Sequence, residues 1–292
     1  MNRQGQDRIV LKKLTRLFDK QKISAISPDQ LIIEIGKFFL GAPYAAGTLE
    51  TKKHEHLVVN LREYDCVTFV ENVVALARLL KSPQKSFKAF RGFLKKIRYR
   101  QGRLQGYPSR LHYFSDWIHD NHKKSVVRDV TVEIGGRSFR KTMTFMTTHP
   151  ELYPPLNKAT DLRRMRSVER SISKRSLSFI PKKVLRRLEE GICDGDLIAI
   201  TTNKEGLDVQ HVGLAVRLKN RIHLLHASSQ EGKVVLSKKT LYRHLMHSKI
   251  RSGIMVARIC YGERQKKIVI ARTPHLMRGT WQSSEIASLR SQ

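Results

Sequence analysis

The sequence has few acidic residues, few cysteines and no long apolar run, and each shortage excludes a class of protein. Its 292 residues include 25 Asp and Glu against 56 Lys and Arg, a formal net charge of +31 at pH 7. No segment approaches the roughly 20 consecutive apolar residues that cross a bilayer. The first residues are charged and lack the apolar core of a secretory signal. The sequence therefore predicts a chain that is either not exported by that route or already processed.

The shortage of cysteine also limits the architecture. Cys66, Cys193 and Cys260 are widely separated and odd in number. They match neither a disulfide framework nor a zinc-finger pattern, so at least one thiol is free. No glycine-rich phosphate loop and no internal repeat accompanies them. A disulfide-stapled domain, a P-loop protein and a repeat solenoid are thereby excluded.

The positive charge predicts attraction to polyanions such as nucleic acid, anionic lipid or an anionic wall polymer. Basic clusters lie at residues 95–103, 163–175 and 182–187. No helix-turn-helix, RNP or zinc-finger signature accompanies them, so specific nucleic-acid recognition is not expected. Electrostatic contact with an anionic polymer or membrane surface is expected, and a non-catalytic polyanion-binding protein is one functional hypothesis.

The clearest helix pattern starts at Cys66. Apolar residues from Phe69 to Leu80 recur at intervals of three and four, which predicts a helix with one buried stripe. Asp65 is the predicted N-cap, so the thiol lies in the first turn, where free N–H groups and the helix dipole favour a thiolate. The sequence thus predicts a lowered pKa for Cys66. The alternative is a small buried hydrophobic residue.

Helical patterns precede strand patterns, which predicts an α+β architecture with an antiparallel sheet. The predicted helices are at 9–18, 28–40, 86–97 and 110–121, with a short strand at 57–61 and a hairpin at 126–146 around Gly135-Gly136. The predicted C-terminal strands are at 196–201, 210–218, 221–227, 233–236 and 253–259, the second and third joined by a Lys219-Asn220 turn. One elaborated domain over 1–262 is expected, with a helical part at 1–122, an insertion at 123–190 and a sheet part at 191–262. Residues 263–292 are predicted to form a basic, loosely ordered tail.

Two histidines on the predicted hairpin are candidates to act with Cys66. A thiol nucleophile needs a base and a group that orients the base. His211 begins one strand and His226 ends the next, so as diagonal neighbours His226 can bond the ring nitrogen of His211 that Cys66 does not use. His223 alternates onto the opposite face. A purely structural histidine remains an alternative, and a zinc site from His223 and His226 lacks an acidic partner.

Five short motifs resemble those of NlpC-type papain-like cell-wall hydrolases, in the same order along the chain. They are Gly41-Ala42-Pro43-Tyr44, Asp65-Cys66, Gly195-Asp196-Leu197-Ile198, His211-Val212-Gly213-Leu214 and Leu225-His226-Ala227-Ser228. The longer segments at 65–72, 110–118 and 208–213 resemble the N-acetylmuramoyl-L-alanine amidase-like branch, and the resemblance runs from about residue 39 to 259. Val67 and Thr68 stand where the wider superfamily commonly has serine and glycine.

This resemblance implies a papain-like fold with Cys66 as nucleophile, His211 as general base and His226 as its orienting residue. Tyr44 is implied to line the site and, with the Cys66 N–H, to bind the oxyanion, with Asp65 beside it. The implied reaction is hydrolysis of the amide between N-acetylmuramic acid and L-alanine in peptidoglycan fragments, through a thioester acyl-enzyme and without a metal or organic cofactor.

Two further expectations concern where substrate binds and where the protein acts. Arg110, Tyr113 and the 149–160 loop are predicted to contact the sugar and the peptide carboxylates, because arginine binds carboxylates in a bidentate manner. The family is usually exported, which suggests the periplasm or cell envelope. An endopeptidase that cuts the stem peptide after γ-D-glutamate is the alternative enzyme.

Overall fold

Helices pack against an eight-stranded antiparallel sheet in this mixed α+β protein. The structure, a computed structural model, describes residues 2–18, 23, 25–50 and 54–260. The chain divides into two compact units at 1–261 and 262–292, and the described residues belong to the first. The predicted tail at 263–292 lies outside the described residues. Within the described part of the chain, no helix has the length and apolar character needed to cross a membrane.

The α-helices and strands are bounded as follows. The helices are α1 Arg3–Leu17, α2 Pro28–Phe38, α3 Cys66–Lys81, α4 Phe87–Arg98, α5 Phe114–Lys123, α6 Phe145–Thr148, α7 Ala159–Ser173, α8 Leu185–Leu188 and α9 Leu241–Met246. The strands are β1 Val127–Asp129, β2 Arg137–Phe139, β3 Leu177–Pro181, β4 Leu197–Thr202, β5 Val209–Leu218, β6 Arg221–Ser228, β7 Lys233–Thr240 and β8 Arg251–Ile259.

Helices α1 to α4 begin where the sequence offers a capping side chain. Asn2, Ser27, Asp65 and Ser86 each accept a hydrogen bond from the N–H three residues later. Such caps satisfy N–H groups that have no partner inside the helix. In α3, Asp65 forms a reciprocal capping box with Thr68. The start of the helix at Cys66 is therefore confirmed.

The sheet has the order β2-β3-β8-β4-β5-β6-β7, and β1 also pairs with β8. Lys219 and Asn220 join β5 to β6 with φ angles of 46° and 61°. Two positive φ angles are typical of the tight hairpin turn whose twist suits a sheet. The predicted hairpin between these strands is confirmed. The described residues form two buried apolar clusters, and the larger includes residues of α1 to α5.

The predicted hairpin at 126–146 is wrong. β1 pairs with β8, with Val127 opposite Ile259, and β2 pairs with β3, with Arg137 opposite Phe179. The glycine pair does form a tight turn, in which the Gly136 N–H donates to the Thr131 carbonyl. Turn chemistry is local, but the flanking segments find their strand partners in distant parts of the chain.

The predicted strand at 57–61 is also wrong, because side chains satisfy its backbone. The Leu61 N–H donates to Asp7 at 3.0 Å, and the Val58 carbonyl accepts from Arg98 at 2.6 Å.

The helix predicted from residue 110 begins only at Phe114. The 149–160 loop contains short helical turns at Pro150–Leu152 and Pro154–Asn157, and α7 follows.

Candidate active site

The candidate site lies where β5 and β6 separate. The two strands are paired from the Lys219-Asn220 turn as far as Leu214 and Leu225, and beyond that point β5 pairs with β4 and β6 with β7. The Ala215 N–H donates to the Asp196 carbonyl on the β4 side. Because successive N–H groups of a strand alternate in direction, the Val212 N–H points away from β4 and into the gap.

The Cys66 thiol lies at this gap, because α3 packs across β5. Burial raises the pKa of the thiol to about 12, the Asp65 carboxylate adds to this, and the N–H groups of Val212, Cys66 and Val67 lower it only in part. Helix-terminal N–H groups therefore act as the sequence predicted, but desolvation outweighs them. The expected low pKa of Cys66 is therefore wrong. The Val212 N–H, which donates to the Cys66 sulfur, belongs to the residue that directly follows His211.

His211 and His226 form the hydrogen bond that the hairpin pattern predicts. His211 Nε2 and His226 Nδ1 are 2.6 Å apart, and the two rings meet edge to face with their centroids separated by 4.7 Å. Gly213 makes this approach possible, because a Cβ at this position would lie 2.9 Å from the Cβ of His226 and 2.8 Å from Leu224 Cγ. The glycine of the His-Val-Gly motif therefore provides space for the second histidine.

Both imidazoles are uncharged near neutral pH. Burial lowers the pKa of His211 to about 3, and His226, His244 and Arg251 add to the effect. Burial also lowers the pKa of His226 to about 4, with His244 and Arg251 contributing. The thiol and the two imidazoles are thus neutral groups rather than a thiolate–imidazolium pair.

Tyr44 is brought to the same place by the 41–50 loop. Its backbone N–H donates to the Gly232 carbonyl, and the Ala45 N–H donates to the Tyr64 carbonyl. Burial raises the pKa of the Tyr44 phenol, and the charges of Cys66 and Asp65 raise it further, which places the phenol near both. Asp65 accepts from the Thr68 N–H at 2.7 Å and thus holds the start of α3.

His244 is a neighbour of the pair that sequence reasoning missed. Its ring lies on α9, with centroids 6.4 Å from His211 and 6.0 Å from His226. A lone histidine between the buried Leu241 and Leu245 carries no pattern that marks it in the sequence. Only the packing of α9 against β6, β7 and β8 brings it here.

Arg110 and Tyr113, predicted to contact substrate, bind carboxylates of the protein. Arg110 Nη2 donates to Glu50 Oε1 at 2.8 Å, and its Nε lies 3.6 Å from Glu55 Oε1. The Tyr113 hydroxyl donates to Glu169 Oε1 at 2.7 Å. Both side chains are buried. A substrate carboxylate would have to replace Glu50 or Glu169, and the roles of Arg110, Tyr113 and the 149–160 loop in binding stay predictions.

The structure also separates His223 from the other histidines. His223 Nδ1 is 2.9 Å from the Ser237 carbonyl oxygen on β7, as expected for a side chain on the other face of β6. Among the described residues, no group of three or more His, Cys, Asp or Glu side chains is arranged to hold a metal ion.

Comparison with known proteins decides the family. The sequence profile of the N-acetylmuramoyl-L-alanine amidase-like family matches residues 34–254. The chain belongs to this family. A comparison with proteins of curated function finds no match.

Solved structures of similar proteins agree with this assignment. An N-acetylmuramoyl-L-alanine amidase from Bacteroides uniformis is 39% identical with a TM-score of 0.76, over 80% of this chain and 99% of that one. A Bacteroides fragilis protein described as a candidate xylanase is 40% identical with a TM-score of 0.73, over 77% and 100% of the two chains. A Legionella pneumophila protein at 21% identity has a TM-score of 0.66 over 89% and 97%, which shows the shared fold alone. Family membership and the amidase-named neighbour support a hydrolase.

Proposed function

We propose that this protein is a cysteine amidase that hydrolyses the amide between N-acetylmuramic acid and L-alanine in peptidoglycan fragments. The observation that carries the proposal is the His211–His226 hydrogen bond at the gap where the Cys66 thiol meets β5. A thiol, a base and a group that orients the base are the components of acyl transfer through a covalent intermediate. The order of these residues along the chain also supports a papain-like, NlpC-type arrangement.

The hydrogen bond to His226 determines which nitrogen of His211 can act as base. A neutral imidazole has one donor and one acceptor nitrogen. When His211 Nε2–H donates to His226 Nδ1, His211 Nδ1 is left as the acceptor for the Cys66 proton. His226 therefore holds the tautomer of the base, as the third group does in other catalytic triads.

In the acylation step, His211 Nδ1 takes the thiol proton while the sulfur attacks the carbonyl carbon of the lactyl amide. The negative charge that develops on the carbonyl oxygen is stabilised by the Cys66 N–H and the Tyr44 hydroxyl. The C–N bond then breaks, and the imidazolium gives its proton to the leaving amine of L-alanine. In the second step His211 activates water, which releases N-acetylmuramic acid as its carboxylate and restores the thiol.

The partly buried, uncharged resting site makes proton transfer part of the attack itself. Since burial disfavours both the thiolate and the imidazolium when each is alone, the charge pair forms only as substrate reacts. Donors fixed by the backbone, including the Val212 N–H, are already oriented when this charge develops, so they stabilise it without reorganisation.

Because the pKa of His211 is lowered, we expect kcat/KM to change little on the acid side of the pH profile. The base must be unprotonated, so kcat/KM is expected to stay level between about pH 5 and about pH 8, without the inflection near 6.5 that an ordinary histidine gives. Initial rates across this range measure it. A clear fall in kcat/KM centred near pH 6.5 would contradict the neutral resting site.

The stability of the protein must be measured in parallel with this profile. Because His211 and His226 bind protons more weakly in the folded chain than in the unfolded chain, stability falls as the pH drops below about 6.5. Rates are therefore divided by the folded fraction, determined by circular dichroism at each pH.

Product identification tests the reaction. A muropeptide of defined structure is incubated with the protein, and the products are weighed by mass spectrometry. We expect a free stem peptide that begins with L-alanine, together with the sugar acid. Cleavage after γ-D-glutamate would show the endopeptidase instead. No cleavage, combined with a steep salt dependence of polyanion binding, would favour the polyanion-binding protein.

A further inference from the structure

A third imidazole, that of His244, lies beside the His211–His226 pair without a described partner. Its Nε2 is buried and makes no hydrogen bond among the described residues. The His226 ring is buried too, and its one hydrogen bond within the described chain uses Nδ1. Buried polar atoms in folded proteins are nearly always hydrogen-bonded, so the unpartnered Nε2 of His244, next to the His226 ring, calls for a physical explanation.

We propose that His244 is a positioning residue that accepts a hydrogen bond from His226 Nε2–H and thereby sets the tautomers of both His226 and His211. This inference rests on the proposed function of the site. The centroids of His226 and His244 are 6.0 Å apart and the rings are tilted by 72°. At this separation the two nitrogens connect through one bridging water or after a small rotation of the His244 ring.

The need for such an acceptor follows from the chemistry of imidazole. If His226 Nδ1 accepts from His211, then the proton of neutral His226 is on Nε2 and requires an acceptor. Without one, the opposite arrangement competes, in which His226 Nδ1–H donates to His211 Nε2. In that arrangement the proton of His211 lies on Nδ1. This is the nitrogen that accepts the Cys66 proton in the proposed mechanism, so His211 could no longer act as the base.

The surroundings of His244 keep its ring neutral and in place. Burial lowers the pKa of His244 to about 4, and the positive groups of Arg251 on β8, Lys239 on β7 and His247 beside α9 add to the effect. An unprotonated ring retains an acceptor nitrogen across the working pH range. α9 itself is anchored by the buried Leu241 and Leu245.

Tautomer and kinetic measurements on matched variants test the proposal. In ¹⁵N-labelled wild type, imidazole chemical shifts should place the protons of His211 and His226 on Nε2. His244→Leu should lower kcat about tenfold or more with KM little changed, since a catalytic histidine in the wrong tautomer is ineffective. His244→Gln, whose amide oxygen can accept, should restore most of kcat. Met246→Ala, an exposed change in the same helix, should behave as wild type.

Several results would overturn the assignment. One is a wild-type His226 protonated on Nδ1, and another is equal kcat in His244→Leu and wild type. Equal losses in the Leu and Gln variants would indicate a role in packing only. If His244→Leu does not fold, the wild-type spectrum and the Gln variant decide alone.

A substrate-free readout separates this proposal from the reaction itself. The rate at which iodoacetamide alkylates Cys66 depends on the base beside the thiol. It should fall in His244→Leu and recover in His244→Gln even if no muropeptide is cleaved. An unchanged alkylation rate in His244→Leu would contradict the positioning role of His244. Failure of muropeptide cleavage alone would contradict only the proposed reaction.

Discussion

Replacement of Cys66 by alanine is expected to lower kcat for amide hydrolysis by at least about 10⁴-fold, because removal of the nucleophile ends covalent catalysis. The fold should remain, since alanine favours helix and the Asp65–Thr68 capping box does not involve the sulfur. Rates of release of the L-alanine-headed peptide and the thermal unfolding midpoint are measured together. Loss of rate without loss of folded protein would assign the effect to chemistry.

The other two cysteines provide matched controls. Cys193 and Cys260 are free and partly buried, like Cys66, but neither lies at the start of α3. Cys193→Ala and Cys260→Ala should retain kcat within about twofold, because surface or partly buried changes outside the site act mainly on stability. Substantial hydrolysis by the Cys66→Ala protein would refute a cysteine mechanism.

Replacement of Glu71 by leucine is expected to lower the free energy of unfolding by about 3–5 kcal/mol, because it leaves a buried arginine without its counter-ion. Arg98 Nε donates to Glu71 Oε2 at 2.7 Å, and both side chains are only 2% exposed. Glu71 Oε1 also accepts from the Trp117 indole at 3.2 Å. One carboxylate on α3 thus joins α4 and α5 to the helix that carries Cys66. Denaturant unfolding at fixed pH measures the loss.

Two comparisons test whether burial of the Glu71–Arg98 ion pair causes the expected loss of stability. Glu34 forms an exposed ion pair with Lys37 at 2.9 Å, and Glu34→Gln should change stability by less than about 1 kcal/mol. The double change Glu71→Leu with Arg98→Met removes both charges and should recover much of the loss. If Glu71→Leu were as harmless as Glu34→Gln, the buried pair would have no structural role.

Local sequence determined the elements on which the site is built. The capping residue Asp65 and the apolar spacing after Cys66 specify where α3 begins, because helix periodicity and capping act within a few residues. Likewise, Lys219-Asn220 sets the β5–β6 register, and strand alternation then separates His226 from His223. The sequence motifs were also sufficient to predict the amidase-like family, which the profile match confirms.

Tertiary structure alone decided the features that depend on distant segments. β1 and β2 pair with β8 and β3 instead of with each other, since strand partners are chosen by packing across the whole sheet. His244 reaches the histidine pair only because α9 packs against β6, β7 and β8. The direction of the Cys66 pKa shift was decided in the same way. The helix terminus that favours a thiolate is local, whereas the desolvation that outweighs it comes from the strands and loops packed around the sulfur.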